Sequence, residues 1–293
     1  MYRFLAVLAA FAASAAILVS PGNAVTGNWQ LDDEHDYVAM VTFLDKDGNF
    51  LWRCTGSLLN EWTVLTAGHC ADTAEGAASA VVYAFRDVGV NLDSALGYDP
   101  TTGYPLFCAD AVDPLCSTSH ELYNYGFADF AGFPNNHDLG LVILDEPIYL
   151  DEYASLAAAD GSLDALAAGP GKAQLTFTIS GYGVSGVKPV TVSYRQRLMA
   201  TVNLINLHNQ YTASFNLQLT ANPGQGKGGT CFGDSGGPIL YDDTDVIVAV
   251  NSFVLNGQCG GTAFAYRVDQ ADAIAWILEH AKGDITIVSL ESL

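Results

Sequence analysis

Short, largely apolar runs separated by turn formers fill most of this chain, 37–44 alternating loosely, with no helical period until the end. The segments 37–44, 50–53, 63–67, 80–85, 139–144, 174–180, 190–202, 215–219, 246–253 and 262–268 are rich in β-branched and aromatic residues and bounded by turn formers. That pattern predicts strands, and Lys46-Asp47-Gly48-Asn49 between the first two predicts a hairpin turn. Many short strands at short spacing predict an all-β sandwich or barrel. Helical spacing emerges late, where Ile274, Ile277, Leu278 and Ala281 fall at i, i+3, i+4 and i+7, placing a terminal helix at about 268–282. Residues 91–136 and 160–172 follow neither period, and are expected to be long surface loops or an interdomain connection.

The first 24 residues read as a removable export signal. Arg3 precedes an Ala-rich apolar run from Phe4 to Val19, short for a membrane span, and Gly22-Asn23-Ala24 places small residues at a cleavage site. The expected mature chain therefore begins at Val25 and is secreted. Outside the cytosol, Cys54, Cys70, Cys108, Cys116, Cys231 and Cys259 are expected to form disulfides, and Cys108 with Cys116 would staple the 91–136 stretch locally. No CxxC occurs, so no metal or other cofactor is implied.

Charge narrows the partners. Against 32 Asp and Glu stand 11 Lys and Arg, a net charge of -21. Such a polyanion does not neutralise phosphates, so nucleic acid is excluded as a partner, and an anionic membrane surface is disfavoured once the signal is removed.

The sharpest local signal is Gly233-Asp234-Ser235-Gly236-Gly237-Pro238, a serine among glycines that permit a tight turn and close approach of a substrate. It also satisfies G-x-S-x-G, the nucleophile elbow of α/β-hydrolases, but there a helix follows the serine, and Gly236-Gly237-Pro238 could hardly start one. Chain order separates the two readings. After Ser235 comes one histidine, His280, near the end of the predicted helix, whereas Thr66-Ala67-Gly68-His69-Cys70 and His137-Asp138-Leu139-Gly140-Leu141 lie upstream. A serine hydroxyl needs a base to take its proton during attack, which His69 would supply. Asp138 would fix the tautomer of that imidazole and stabilise its charged form. The N–H groups of Gly233 and Ser235 would meet the developing oxyanion.

These three segments resemble the chymotrypsin (trypsin-like) family of serine endopeptidases, and the resemblance extends over most of 25–293. It implies two six-stranded antiparallel β-barrels, here about 25–150 and 170–267, with the site in the cleft between them, then the terminal helix. It implies the pairings Cys54–Cys70 beside the histidine and Cys231–Cys259 beside the specificity pocket. Val25-Thr26-Gly27 resembles the terminus such enzymes expose on activation, whose α-ammonium would pair with Asp234; Thr26 and Asn28 depart from the family pattern there.

The resemblance places the specificity pocket between Gly229, the segment Ser252, Phe253 and Val254, and the vicinity of Ala263. Gly229 stands where Lys/Arg-selective members carry a carboxylate, and Val254 where deep pockets carry glycine. Small or medium apolar side chains are therefore expected before the scissile bond, and not Lys or Arg. The expected product is a secreted, monomeric serine endopeptidase acting on proteins or peptides. A trypsin-like protein that binds without cleaving, or an esterase of α/β-hydrolase type, are the alternatives; the intact trio and its order in the chain weigh against them.

Overall fold

Seven strands wind the first half of the molecule: β1 (Val38–Leu44), β2 (Phe50–Leu58), β3 (Thr63–Thr66), β4 (Ser79–Tyr83), β5 (Cys116–Ser119), β6 (Glu121–Asn124) and β7 (Gly140–Ile143). The structure, a computed structural model, describes residues 25–88, 115–168, 175–187, 189, 191–222 and 226–293. The expected export signal and Cys108 lie outside these residues. Strand β1 pairs with β2 and β4, β2 with β3, and β3 with β7, all antiparallel. Strands β5 and β6 are consecutive, parted at His120, and reach opposite ends of the sheet: β5 pairs with β4 and β6 with β7. One bent strand thus nearly closes a ring, which removes most of the exposed hydrogen-bonding edge.

The second half repeats the solution with β8 (Thr176–Gly181), β9 (Leu198–Asn206), β10 (Asn216–Ala221), β11 (Pro238–Tyr241), β12 (Val246–Val254) and β13 (Gly261–Arg267). Pairing runs β8–β9–β10–β13–β12–β11 and returns from β11 to β8, a closed six-stranded barrel. Each barrel encloses its own core, one around Val41, Phe43, Leu65 and Leu141, the other around Phe177, Ile179, Leu217 and Val248. Helices α1 (Ser162–Ala168) and α2 (Ala271–His280) lie outside the barrels, and α2 buries Ala273 and Ile277 against the first core.

Several local expectations need correction. The 91–136 stretch, read as loop, contains β5 and β6, whose many Ser, Thr and Asn residues hide the strand period but satisfy the ladder. The 160–172 stretch contains α1. Strand β9 begins at Leu198 and not near 190, because Arg195 turns into the left-handed region at φ 57°. On α2 the inward stripe is Ala273, Ile274 and Ile277; Leu278 is 49% exposed, and Ala281 is the C-cap.

Thr55, on β2, joins the barrels. Its N–H donates to Ser235 O at 2.9 Å, its hydroxyl donates to Gly233 O at 2.8 Å, and Thr55 Oγ1 in turn accepts the Tyr182 N–H at 3.1 Å. The Tyr182 hydroxyl reaches back to Phe85 O at 2.6 Å and Val38 O at 3.1 Å. Arg197, 1% exposed, donates to Asp32 O and Val38 O and pairs with Asp36.

Candidate active site

His69 follows β3, and Asp138 immediately precedes Leu139 and β7, the strand that pairs with β3 through Thr66 and Gly140. The sheet register therefore places the two side by side although 69 residues separate them. Asp138 is wholly buried. It accepts from His69 Nδ1 at 2.9 Å and from the His69 backbone N–H at 2.8 Å, and the Ser252 hydroxyl also donates to it. The expected disulfide Cys54–Cys70 ties the residue after His69 to β2.

Burial alone would push the His69 imidazole down. The charge and hydrogen bond of Asp138, with the more distant charge of Asp72, outweigh it and leave His69 above its ordinary 6.5. Burial would likewise push Asp138 up, yet His69 and the Ser252 hydroxyl hold it below the usual carboxylate range.

Ser235 reaches the same place from the second barrel. Gly233 and Gly236 flank it at φ 95° and 80°, a region that only glycine enters freely, and a Cβ at Gly236 would lie 2.1 Å from Thr66 Oγ1. Ser235 and His69 line one cavity of about 400 Å³. The serine hydroxyl bonds no described residue, whereas His69 and Asp138 are in contact; Ser235 and His69 share the cavity lining. Among the described residues the backbone N–H groups of Gly233 and Ser235 also lack partners, which leaves two donors beside the hydroxyl.

Asp234, before the serine, is fully buried and accepts from Cys231 N at 2.9 Å, Gly183 N at 2.8 Å and the backbone N–H of Val25. Val25 is itself buried, and Thr26 pairs with Gly229. Burial drives the Asp234 carboxyl up to about 6 despite these donors and the charge of Arg53.

Thr230, Cys231, Asn251, Ser252, Phe253 and Val254 line the cavity, with Cys231 and Cys259 joined as expected. Gly229 and Ala263 do not line it. Gly229 is pressed against Ala221, where an added Cβ would lie 2.6 Å from the Ala221 Cβ, and Ala263 is buried between its sheet partners Leu219 and Val254. Ser252, expected as pocket wall, also commits its hydroxyl to Asp138. The expectation missed Phe127, Asp129 and Phe130, which line the cavity from the segment before Asp138. Cys116 is disulfide-bonded, and its expected partner Cys108 is outside the described residues.

The Trypsin family model matches residues 25–277. Serine protease 7 of Drosophila melanogaster is 29% identical over 86% of this chain and 63% of that protein, so the chain spans less than two thirds of that relative. Collagenase of Hypoderma lineatum is 25% identical over 87% of this chain and 86% of its own. A solved structure of HL collagenase superposes with a TM-score of 0.60 at 20% identity, covering 87% of this chain and 97% of that one, which shows the shared two-barrel fold. The chain belongs to the trypsin family.

Proposed function

We propose that this protein is a secreted serine endopeptidase that hydrolyses peptide bonds through an acyl-enzyme on Ser235. The observation that carries the reading is the grip of buried Asp138 on His69, with Ser235 lining the same cavity. Because Nδ1 is engaged by Asp138, Nε2 is left to take the Ser235 proton as Oγ attacks the scissile carbonyl carbon. Asp138 stabilises the imidazolium that forms. The carbonyl oxygen, now an anion, accepts from the N–H groups of Gly233 and Ser235, donors already in position. Collapse breaks the C–N bond as the imidazolium protonates the leaving amine. Water then attacks the ester by the same route and frees Ser235.

The side chain before the scissile bond is small or medium and apolar, and not Lys or Arg. Supporting this are Val254 and Phe253 on the cavity wall. Cleavage before Val25 would turn its buried N–H into an ammonium beside Asp234, completing an ion pair that orders the oxyanion loop. The substrates are proteins or peptides, and the enzyme works as a secreted monomer.

Digestion of a peptide library by the purified protein beside Ser235→Ala, with cleavage sites read by mass spectrometry, tests this. Cuts by the intact enzyme alone, after Ala, Val or Leu, support it. Equal cutting by Ser235→Ala overturns the mechanism, and cuts mainly after Lys or Arg overturn the pocket reading.

A further inference from the structure

A second cavity, of about 400 Å³, lies on the outer face of the second barrel and shares no lining residue with the first. Along β8, Phe177 and Ile179 point into the barrel core, so Thr178 between them points out, beside its cross-strand partner Thr201 on β9. Both threonines line the cavity, with Gln30, Glu34, His35 and Asp243. Asp32 shapes one side of it. Buried, it accepts the backbone N–H groups of Glu34 and His35 at 3.0 and 3.1 Å and lies 2.9 Å from His35 Nδ1, so the turn presents Glu34 and the far edge of the imidazole to the cavity. Thr178 is 8% exposed and the His35 side chain 7%, yet the Thr178 hydroxyl and His35 Nε2 bond no described residue. Buried polar groups are ordinarily paired. Neither atom is sealed from the surface, so both open on the cavity and face whatever fills it.

The lining sets the sign of that occupant. The carboxylates of Glu34 and Asp243 bond no described residue, and among the described residues no Lys or Arg lines the cavity. Asp32 balances His35 when the ring is protonated and adds a negative charge when it is neutral, so the cavity stays anionic in either state. Among the described residues no three imidazole and carboxylate atoms of this cavity lie within 4.8 Å of one another, too open a set for one metal ion. A guanidinium or ammonium on a flexible stem spans such a set, each N–H bonding a separate acceptor. The position adds a consequence. Gln30 pairs with Met199 and Leu31 with Leu198, on the same segment whose Thr26 pairs with Gly229 and whose Val25 N–H reaches Asp234. The cavity is complete only while this segment lies against the second barrel, so an occupant that touches Gln30 stabilises the docked arrangement by mass action.

We propose that this cavity binds an organic cation, a guanidinium or a primary ammonium, with Glu34, Asp243 and the Thr178 hydroxyl accepting its N–H groups, and that the occupant holds residues 28–31 against β9. The inference goes beyond the peptidase reading and does not depend on it.

Calorimetric titration of the purified protein at low salt tests this, with spermidine standing for a free polyamine and N-acetyl-arginine amide for a basic side chain of a polypeptide. The wild type should bind at least one of them with a Kd below about 1 mM, and which one binds identifies the source. Glu34→Gln with Asp243→Asn should weaken that binding by about tenfold or more, since each loses a charge-assisted hydrogen bond. Thr178→Val, which keeps the shape of the side chain, should weaken it several-fold. Glu75→Gln with Glu152→Gln removes two exposed carboxylates that do not line the cavity, and should change binding by less than about twofold. Saturating cation should also slow amide hydrogen exchange at 28–31 several-fold. Binding of neither cation below about 10 mM, equal weakening in the two double variants, or binding that leaves exchange at 28–31 unchanged overturns the proposal.

Discussion

Asp138 holds His69 at two points, accepting from the backbone N–H at 2.8 Å and from ring Nδ1 at 2.9 Å. A histidine tethered by its ring alone could swing about χ1; here the anchor that aims the ring also fixes the main chain that carries it. Ser252 supplies a further donor to the same carboxylate from the second barrel, so the orientation of the base depends on both halves of the molecule.

Asp138→Asn keeps the volume but offers an amide that can set the wrong imidazole tautomer. The expected result is a fall in kcat of about 10⁴-fold, with the fold intact by circular dichroism. A fall of less than about tenfold would show that His69 does not depend on this carboxylate.

The pH profile follows from the same contact. Asp138 stabilises the imidazolium, so the His69 midpoint lies above 6.5, and only the neutral ring can accept the Ser235 proton. Activity should therefore rise with pH through a midpoint above 6.5, in contrast to a free imidazole. In Asp138→Asn the residual activity should have a lower midpoint. A profile flat between pH 5 and about 8 would remove His69 as the base.

Cleavage before Val25, as proposed, should change how stability depends on pH through Asp234. While the Val25 nitrogen is an amide, Asp234 titrates at about 6 against 3.8 when exposed, so the folded state binds its proton more tightly. Its contribution is full below pH 3.8 and is lost as pH rises through about 6, a difference of about 3 kcal/mol. A chain starting at Val25 places an ammonium there and should not show this loss. Urea unfolding of both forms at pH 4 and 7 measures it, and N-terminal sequencing of secreted protein should read Val-Thr-Gly.

Replacing both Cys54 and Cys70 by Ala opens a loop spanning a sequence separation of 16. On a chain-entropy basis this should cost about 3 kcal/mol, seen as a lower urea midpoint. Because Cys70 adjoins His69, kcat should fall as well, even where the variant is folded.

The three chemical segments were legible because each is short and carries its function in residue type: a glycine-flanked serine, and a histidine and an aspartate beside strands. Strands with apolar inward faces were legible for the same reason. Strand β5, Cys-Ser-Thr-Ser, was not, since its hydroxyls satisfy partners such as Glu146 O and Ile143 O and so look like a surface loop in sequence. Nor were Phe127 and Phe130 read as lining the site, or Phe133 as continuing the row of rings beyond it. Their spacing of three residues in a Gly- and Ala-rich stretch was the available signal, but which way a loop ring points depends on contacts with Phe253 and Tyr211 from the other barrel.

The bonds from Thr55 to Gly233 and Ser235, and from Tyr182 to Val38 and Phe85, set the spacing of the two barrels like pegs in a joint. These contacts hold the two walls of the cleft directly to one another. On the proposed function, a substrate that offers a stretch free to straighten should enter such a cleft most readily. For the endopeptidase proposed above, a compact protein should be nicked at its loops and frayed ends, and heating or mild denaturation of the target should speed its digestion.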